Sequence, residues 1–553
     1  MEKINEKIFD GIQIENRHYG VYDFTIAVLR KIGVDKILDE MLFKNKGQDP
    51  DIPYSIIGLI FIANLICAQQ PLYKISDFFS ERGEFDFVGT FGCEIDVPKL
   101  MDDRFAYFLD RLHEVGIRKL FSRIDMHSVK NFGINPGDIN IDTTSKVMWG
   151  EYEEEKAGNN PGAEFKVLYG HSKQKRPDKK QIKIGMTTGD NVVLDAQVLS
   201  GNHDDKTYCL DRIAELNEAC EELKSFLGFD GFLIADSAAG SEVCFQAANS
   251  NGVRLLTRIS DSFLASKNIS REFLANLEQG RKVILETSKK SQPSEYKIFE
   301  GVGNHKGVKL NLCEVYSEQL LAKKSVTVEK QTLKENQKIQ KLAESENKKK
   351  PYAWLKDAEE AVKRAEKSIG KPAYLDVSVT ISEISVQKKG RPRKDNSEPA
   401  MRTKFQVGVT VTPKEGAQEL KESKVDRECV FVLATNDFNI TGEEMLRKYK
   451  TQNQVEVRFH QFKSRHFLNV IFLKKTERIE VLMYLYLIGL QACTVVEHVV
   501  RKGLVEDGTS ITEISTRLKK EKSNFCTIFE VFRLAMRQIR SYEGQKRDTG
   551  QET

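Results

Sequence analysis

Three carboxylates are placed where carboxylates need a reason. Asp142 lies inside an alternating, β-branched run, Asp138–Val147, flanked by Ile139, Ile141 and Val147. Strand interiors disfavour Asp. Asp236 follows the apolar stretch Gly231–Ala235 and precedes four small residues, Ser237, Ala238, Ala239 and Gly240. Carboxylates at the C-terminal ends of strands commonly line sites in α/β sheets. Glu456 belongs to a helical segment, Gly442–Phe467. At 100° per residue, Tyr449, Gln452, Glu456 and Lys463 fall at 0°, 300°, 340° and 320° of that helix. Val455, Phe459 and Phe462 form the adjoining apolar stripe. Taken alone, this stripe would equally suit the solvated edge of an amphipathic helix. Beside two other acids it suits a cleft, because an acid and a lysine are costly at the edge of a core without one.

An Asp within one strand, an Asp ending another and a Glu on a packed helix can converge. With no Cys or His companion, three carboxylates favour hard, oxygen-liking ions such as Mg²⁺ or Mn²⁺. Two such ions about 3.5–4 Å apart suit in-line displacement at a phosphodiester. One activates the attacking water or 3′-hydroxyl, and the other stabilises the leaving oxygen.

The elements around these residues come in blocks. Residues 1–135 read as helical, with apolar residues at helical spacing in 22–42, 53–68 and 100–125. That block is either a plain helical domain or one that reads DNA. From 136 to 262 the pattern is three strands, helix, strand, helix, strand. Gln181–Thr188 and Val192–Leu199 read as a hairpin turning at Gly189-Asp190. This order predicts a mixed α/β sheet. Residues 263–428 read as a β-rich and Lys-rich insertion domain, with strands near 282–286, 295–299, 308–316 and 374–384. Residues 429–505 return to the apolar strand Val430–Ala434 and the Glu456 helix, and 506–553 read as a helical C-terminal segment.

Charge is divided in the same way. The chain carries 85 Lys and Arg against 81 Asp and Glu, a net of only +4. Yet 321–372 alone holds 14 basic and 8 acidic residues, and 387–394 holds five positive charges with no acid, including Lys388, Arg391 and Arg393. Gly390 and Pro392 keep that second stretch extended, which suits a narrow minor groove or simply an exposed loop tip. Between Lys166 and Lys183 stand seven basic residues, Lys173 and Arg176 among them, against Asp178. Phosphate contact is the favoured reading there. Trp149 and Tyr152 could stack on an unpaired base, although core packing is the stronger expectation for both.

Nine scattered cysteines without a C-x-x-C pair suggest neither a zinc site nor a disulfide framework, but a reducing compartment. The N-terminus lacks the apolar region of a signal peptide. The apolar runs 56–68 and 481–490 are shorter than the roughly 18–20 residues a span needs, so a soluble, cytoplasmic protein is expected.

Tyr449-x2-Gln452-x3-Glu456-x6-Lys463, Asp142-Thr-Thr-Ser and Ala235-Asp236-Ser-Ala-Ala-Gly together resemble the motifs of the DDE transposases of bacterial and archaeal insertion sequences. The branch with a Tyr-Arg-Glu-Lys signature and a β-rich insertion before the catalytic Glu is the most similar. Gly170-His-Ser-Lys173, Arg176-Pro-Asp178 and Gly201-Asn-His-Asp-Asp205 resemble it too. The resemblance covers roughly 136–262 and 428–505 well, and the N-terminal part and the insertion more loosely. It implies a ribonuclease-H-like core split by the insertion, with Asp142, Asp236 and Glu456 catalytic and holding two Mg²⁺ or Mn²⁺ ions. It further implies cut-and-paste cleavage at terminal inverted repeats, strand transfer into double-stranded target DNA, and a homodimer in the synaptic complex, bound at the nucleoid. Lys463 and Tyr449 would lie along that DNA. Gln452 stands where the signature has Arg, so a charged phosphate contact there is in doubt. The alternatives are a metal-dependent nuclease that does not join ends, and a catalytically silent DNA-binding descendant.

Overall fold

The computed structural model describes residues 20–42, 50–81, 85–150, 152, 165–227, 231–259, 276–285, 293–305, 307–387, 401–464, 467–468, 471 and 473–506. Lys388, Arg391 and Arg393 lie outside them, as does the helical segment expected beyond 506.

Among the described residues of the first block, the α-helices are α1 (Gly20–Lys31), α2 (Val34–Leu42), α3 (Tyr54–Ala63), α4 (Ile75–Glu81), α5 (Phe87–Phe91), α6 (Asp102–Val115) and α7 (Ile117–Phe132). The sequence of α3, YSIIGLIFIA, is apolar on every side, and nearly every residue of it is buried. The periodic stretch 22–42 is two helices rather than one. Gly33 breaks it at φ +86°, where a Cβ would lie 2.4 Å from the His127 ring.

The chain then builds one large mixed sheet. β1 (Ile139–Val147), β2 (Gln181–Gly189) and β3 (Val192–Ser200) are antiparallel neighbours. The turn between β2 and β3 is Asp190-Asn191, one residue later than expected, with both at positive φ (50° and 62°). Asn and Asp tolerate that conformation. Gly189 instead ends the strand, where a Cβ would sit 2.4 Å from Pro136. After α8 (Asp205–Leu227), β4 (Leu233–Ala235) pairs parallel to β1. After α9 (Glu242–Ser250), β5 (Leu255–Arg258) pairs parallel to β4.

The segment 263–428 is not one separate unit. Its strands β6 (Arg281–Leu285), β7 (Ser294–His305) and β8 (Val308–Ser317) extend the main sheet, which β11 (Val430–Thr435) joins to β5. The order of the nine strands is β3-β2-β1-β4-β5-β11-β8-β7-β6. Tyr296, Ile298, Cys313 and Val315 bury one face of this extension with Phe431 and Leu433, so it shares a core with the second half of the sheet. The remainder comprises α10 (Glu318–Asn347), α11 (Leu355–Ile369), the two-stranded sheet of β9 (Leu375–Gln387) and β10 (Met401–Pro413), and α12 (Ala417–Cys429), and it is seated on the main sheet where Val328, Val425 and Cys429 meet Tyr316 and Val430. Its own core is small, built around Ala358, Ala361 and Val407. The alternation of Phe405, Val407, Val409 and Val411 was the available signal for β10.

Among the described residues three further helices follow: α13 (Gly442–Lys450), α14 (Asn453–Lys463) and α15 (Thr476–Glu506). The apolar run 481–490 is only the middle of α15. Within α15, Thr476–Gly503 is long and apolar enough to cross a membrane, and so by composition is the bent pair formed by Tyr54–Ala68 with Leu72–Glu81. The apolar window of α15 is 78% buried inside the fold, as a core helix requires. It packs on α6, α7 and β3. As a result Leu29, Phe105, Leu120, Ile184, Val193, Phe462 and Leu487 all belong to one apolar core. Arg478 pairs with Asp110 through two 2.6 Å hydrogen bonds. Arg118 of α7 and Arg212 of α8 both grip Asp195 of β3. The N-terminal helices are therefore packed into the sheet rather than tethered to it.

Candidate active site

The Glu456 helix is registered on β1 by a ladder of hydrogen bonds. Lys448 donates to both oxygens of Asp138 (2.9 and 2.7 Å), Thr451 to Asn140 Oδ1 (2.9 Å) and Gln452 Nε2 to the Ile141 carbonyl (2.9 Å). At its other side, Gln454 accepts the Asn191 amide (3.1 Å). Arg458 donates twice to the Asn191 carbonyl, at 2.9 and 2.7 Å. The helix is thus clamped between β1 and the β2–β3 turn, which brings its face to Asp142.

It is not continuous, however. A turn at Thr451-Gln452 separates α13, which carries Tyr449, from α14, which carries Glu456 and Lys463. Tyr449 is half-buried against Phe431, with its hydroxyl pushed up to about 12 by burial and by the charges of Asp236, Glu456 and Asp142. Gln452 is buried at 8% exposure, bonded to backbone. In this position its side-chain amide braces β1, because an uncharged amide can satisfy a buried carbonyl. Glu456 is exposed on α14. Lys463 is half-buried, and its ammonium is lowered to about 8 by burial and by repulsion from Lys173 and Lys146.

Asp142 lies on β1 and Asp236 immediately follows the adjacent parallel strand β4, where Ile141 pairs with Ala235. Asp142 is pushed up to about 6, first by burial and then by the charge of Asp236, against the opposing pull of Lys173. Both carboxylates are oriented by one oxygen only. Oδ1 of Asp142 accepts the Thr143 amide (2.7 Å) and the Lys173 ammonium (3.1 Å). Oδ1 of Asp236 accepts the Ala238 amide (3.0 Å) in a short 3₁₀ turn. The small residues after Asp236 thus make its cap as well as its clearance. Among the described residues, no three His, Cys, Asp or Glu side chains are grouped closely enough to hold one ion. The donor chemistry of Asp142 and Asp236 nevertheless fits a hard divalent cation: two neighbouring carboxylates, short of positive charge, each with Oδ2 free of hydrogen bonds among the described residues.

Lys173 lies inside this site rather than on an outer phosphate-facing surface. Its Nζ also donates to the Thr143 carbonyl at 2.6 Å and lies 3.5 Å from Asp205. Burial alone would lower this ammonium, but Asp142 and Asp205 hold it above its ordinary value. Asp205 had no role assigned from the sequence, although it closes the Gly201–Asp205 motif. Lys183 at 2.8 Å and Thr143 Oγ1 at 2.6 Å bind the same oxygen of it.

Beside the far end of β1, Trp149 is 56% exposed, so core packing does not hold for it, whereas Tyr152 is buried at 8%. The Arg176 guanidinium and the Lys179 ammonium stand 5.1 and 5.4 Å from the indole centre. Arg176 also forms a two-pronged pair with Asp178, at 2.8 and 2.7 Å. Tyr169, 55% exposed, has Lys180 at 5.8 Å from its ring.

A family model described as a domain of unknown function, DUF4277, matches residues 15–126, within the helical first block. No curated protein matches the chain. Among solved structures, one titled "Mos1 transposase paired-end complex with left transposon end" is similar over 44% of this chain and 78% of that one, at 9% identity and a TM-score of 0.15. A superposition that loose carries no weight for fold or function.

Proposed function

We propose that the chain is a DDE-type transposase of an insertion sequence, a metal-dependent enzyme that cleaves DNA at element ends and joins them to target DNA. The observation that carries this reading is the juxtaposition of Asp142 on β1 and Asp236 at the end of the adjacent parallel strand β4, with the Glu456–Lys463 helix clamped over β1. The strand order supports it. Three antiparallel strands followed by two parallel ones, in the order β3-β2-β1-β4-β5, is the ribonuclease-H arrangement, here continued by β11, β8, β7 and β6.

In this reading Asp142 and Asp236 hold Mg²⁺ or Mn²⁺, and Glu456 supplies the third carboxylate from α14. The bound ions would activate the attacking hydroxyl and stabilise the leaving oxygen. Lys463, at the end of α14, neutralises a phosphate of the DNA. Tyr449 and Gln452 hold α13 and α14 in register. Trp149, Arg176, Lys179 and Lys180 give the DNA a cationic and aromatic path beside β1. Two copies would pair two ends.

The test uses the full chain, Mg²⁺ and the DNA flanking its coding region. Cleavage at inverted repeats and joining of a pre-cut 3′-hydroxyl end are expected. Asp142→Asn, Asp236→Asn and Glu456→Gln should each abolish both while preserving DNA binding. Strand transfer retained in any of the three would sink the assignment. Cleavage without joining would reduce it to a nuclease.

A further inference from the structure

We propose that Lys173 is an exchangeable internal cation: it neutralises Asp142 in the ion-free protein and yields that carboxylate to an entering divalent ion while remaining paired with Asp205. This rests on the reading of Asp142 as an ion-holding group.

The ammonium of Lys173 is shared among three acceptors, Asp142 Oδ1 (3.1 Å), the Thr143 carbonyl (2.6 Å) and Asp205 Oδ2 (3.5 Å). The two carboxylates differ in what else serves them. Asp205 is also bound by Lys183 (2.8 Å) and the Thr143 hydroxyl (2.6 Å), both on Oδ1. Asp142 has no second cation within ion-pair distance among the described residues, and Asp236 repels it.

The two lysines differ as well. The Lys183 side chain is 5% exposed and fixed, whereas that of Lys173 is 30% exposed and lies on the solvent side. Withdrawal of Lys173 from Asp142 therefore leaves no carboxylate without a partner, provided that a cation takes its place. An ammonium and a divalent ion repel one another, so they cannot both occupy Asp142 cheaply. Asp205 is the residue that makes the exchange reversible, because it gives Lys173 a second anchor. Lys173 acts as a positioning residue and Asp205 as its keeper; neither is an ion ligand.

This predicts effects of opposite sign, which a merely structural lysine would not give. Mn²⁺ binding to the full chain without DNA, followed by electron paramagnetic resonance at fixed ionic strength, reads them directly. Lys173→Met removes the competing cation and should tighten Mn²⁺ about fivefold or more. Asp205→Asn leaves Asp142 as the one carboxylate within ion-pair distance of Lys173 among the described residues and should weaken Mn²⁺ by a similar factor. The double variant should bind like Lys173→Met. Lys173→Gln, which keeps a polar side chain, should also tighten binding, and thermal melting checks that each variant is folded. Weaker or unchanged Mn²⁺ binding in both folded Lys173 variants overturns the proposal while leaving the ion reading intact, provided that Asp142→Asn lowers affinity at least tenfold. Unchanged affinity in Asp142→Asn overturns both.

Discussion

Gln452 donates its side-chain amide to the carbonyl of Ile141, the residue just before Asp142, at 2.9 Å. The bond ties the turn between α13 and α14 to the strand bearing the first carboxylate. Gln452→Leu would leave that carbonyl without its partner in a buried setting, at a cost of about 1–3 kcal/mol. Urea denaturation should show the loss. DNA cleavage should fall further than stability explains, because α14 carries both Glu456 and Lys463. Unchanged stability would mean that water replaces the amide.

Asp142 makes stability depend on pH in a definite direction. Its folded value, about 6, lies above the ordinary 3.8, so the folded chain holds a proton that the unfolded chain releases between those values. Stability should therefore rise as pH falls through 6, by about 1 kcal/mol between pH 7 and 5 from this group alone. Comparing wild type with Asp142→Asn in ion-free buffer isolates the effect. The variant should lack that increment, and an identical pH profile would refute the shift.

Asp195 should matter more to stability than its place on β3 suggests. It receives Arg118 from the helical block and Arg212 from α8, so Asp195→Ala removes the carboxylate shared by two partly buried guanidinium groups and leaves them Glu215 as their one remaining acidic partner among the described residues. A loss of about 2–4 kcal/mol is expected, read as a lowered midpoint in thermal denaturation. Deleting 1–135 should be more severe: it strips the apolar faces of α15 and β3 and should yield insoluble protein. A role of the N-terminal helices in recognising DNA ends is therefore better tested by substitutions at their surface.

Trp149 offers a direct optical readout of DNA contact. The chain has two tryptophans, so Trp354→Phe leaves Trp149 as the sole reporter. Addition of an oligothymidylate should quench its emission, and Trp149→Leu should weaken binding by about 1–3 kcal/mol, the worth of one stacked base. DNA binding seen by anisotropy with unaltered emission would place the strand elsewhere.

Much of this protein is determined locally. The alternation in 138–147, the apolar strand ending at Asp236 and the spacing from Tyr449 to Lys463 are short-range patterns, and they fixed which elements form and which carboxylates need explaining. Strand order and the side-chain contacts between distant segments are not local. That β6–β8 extend the main sheet depends on β11, more than a hundred residues downstream, offering β8 a free edge. Continuous helical periodicity hid the turn at Thr451-Gln452, because the hydrogen bonds to Asn140 and Ile141 that hold it come from another part of the chain. The role of Lys173 was hidden for the same reason. A basic cluster reads as a surface in sequence, and only the fold puts one of its ammonium groups between Asp142 and Asp205, where Coulomb attraction across the buried site outweighs its preference for water.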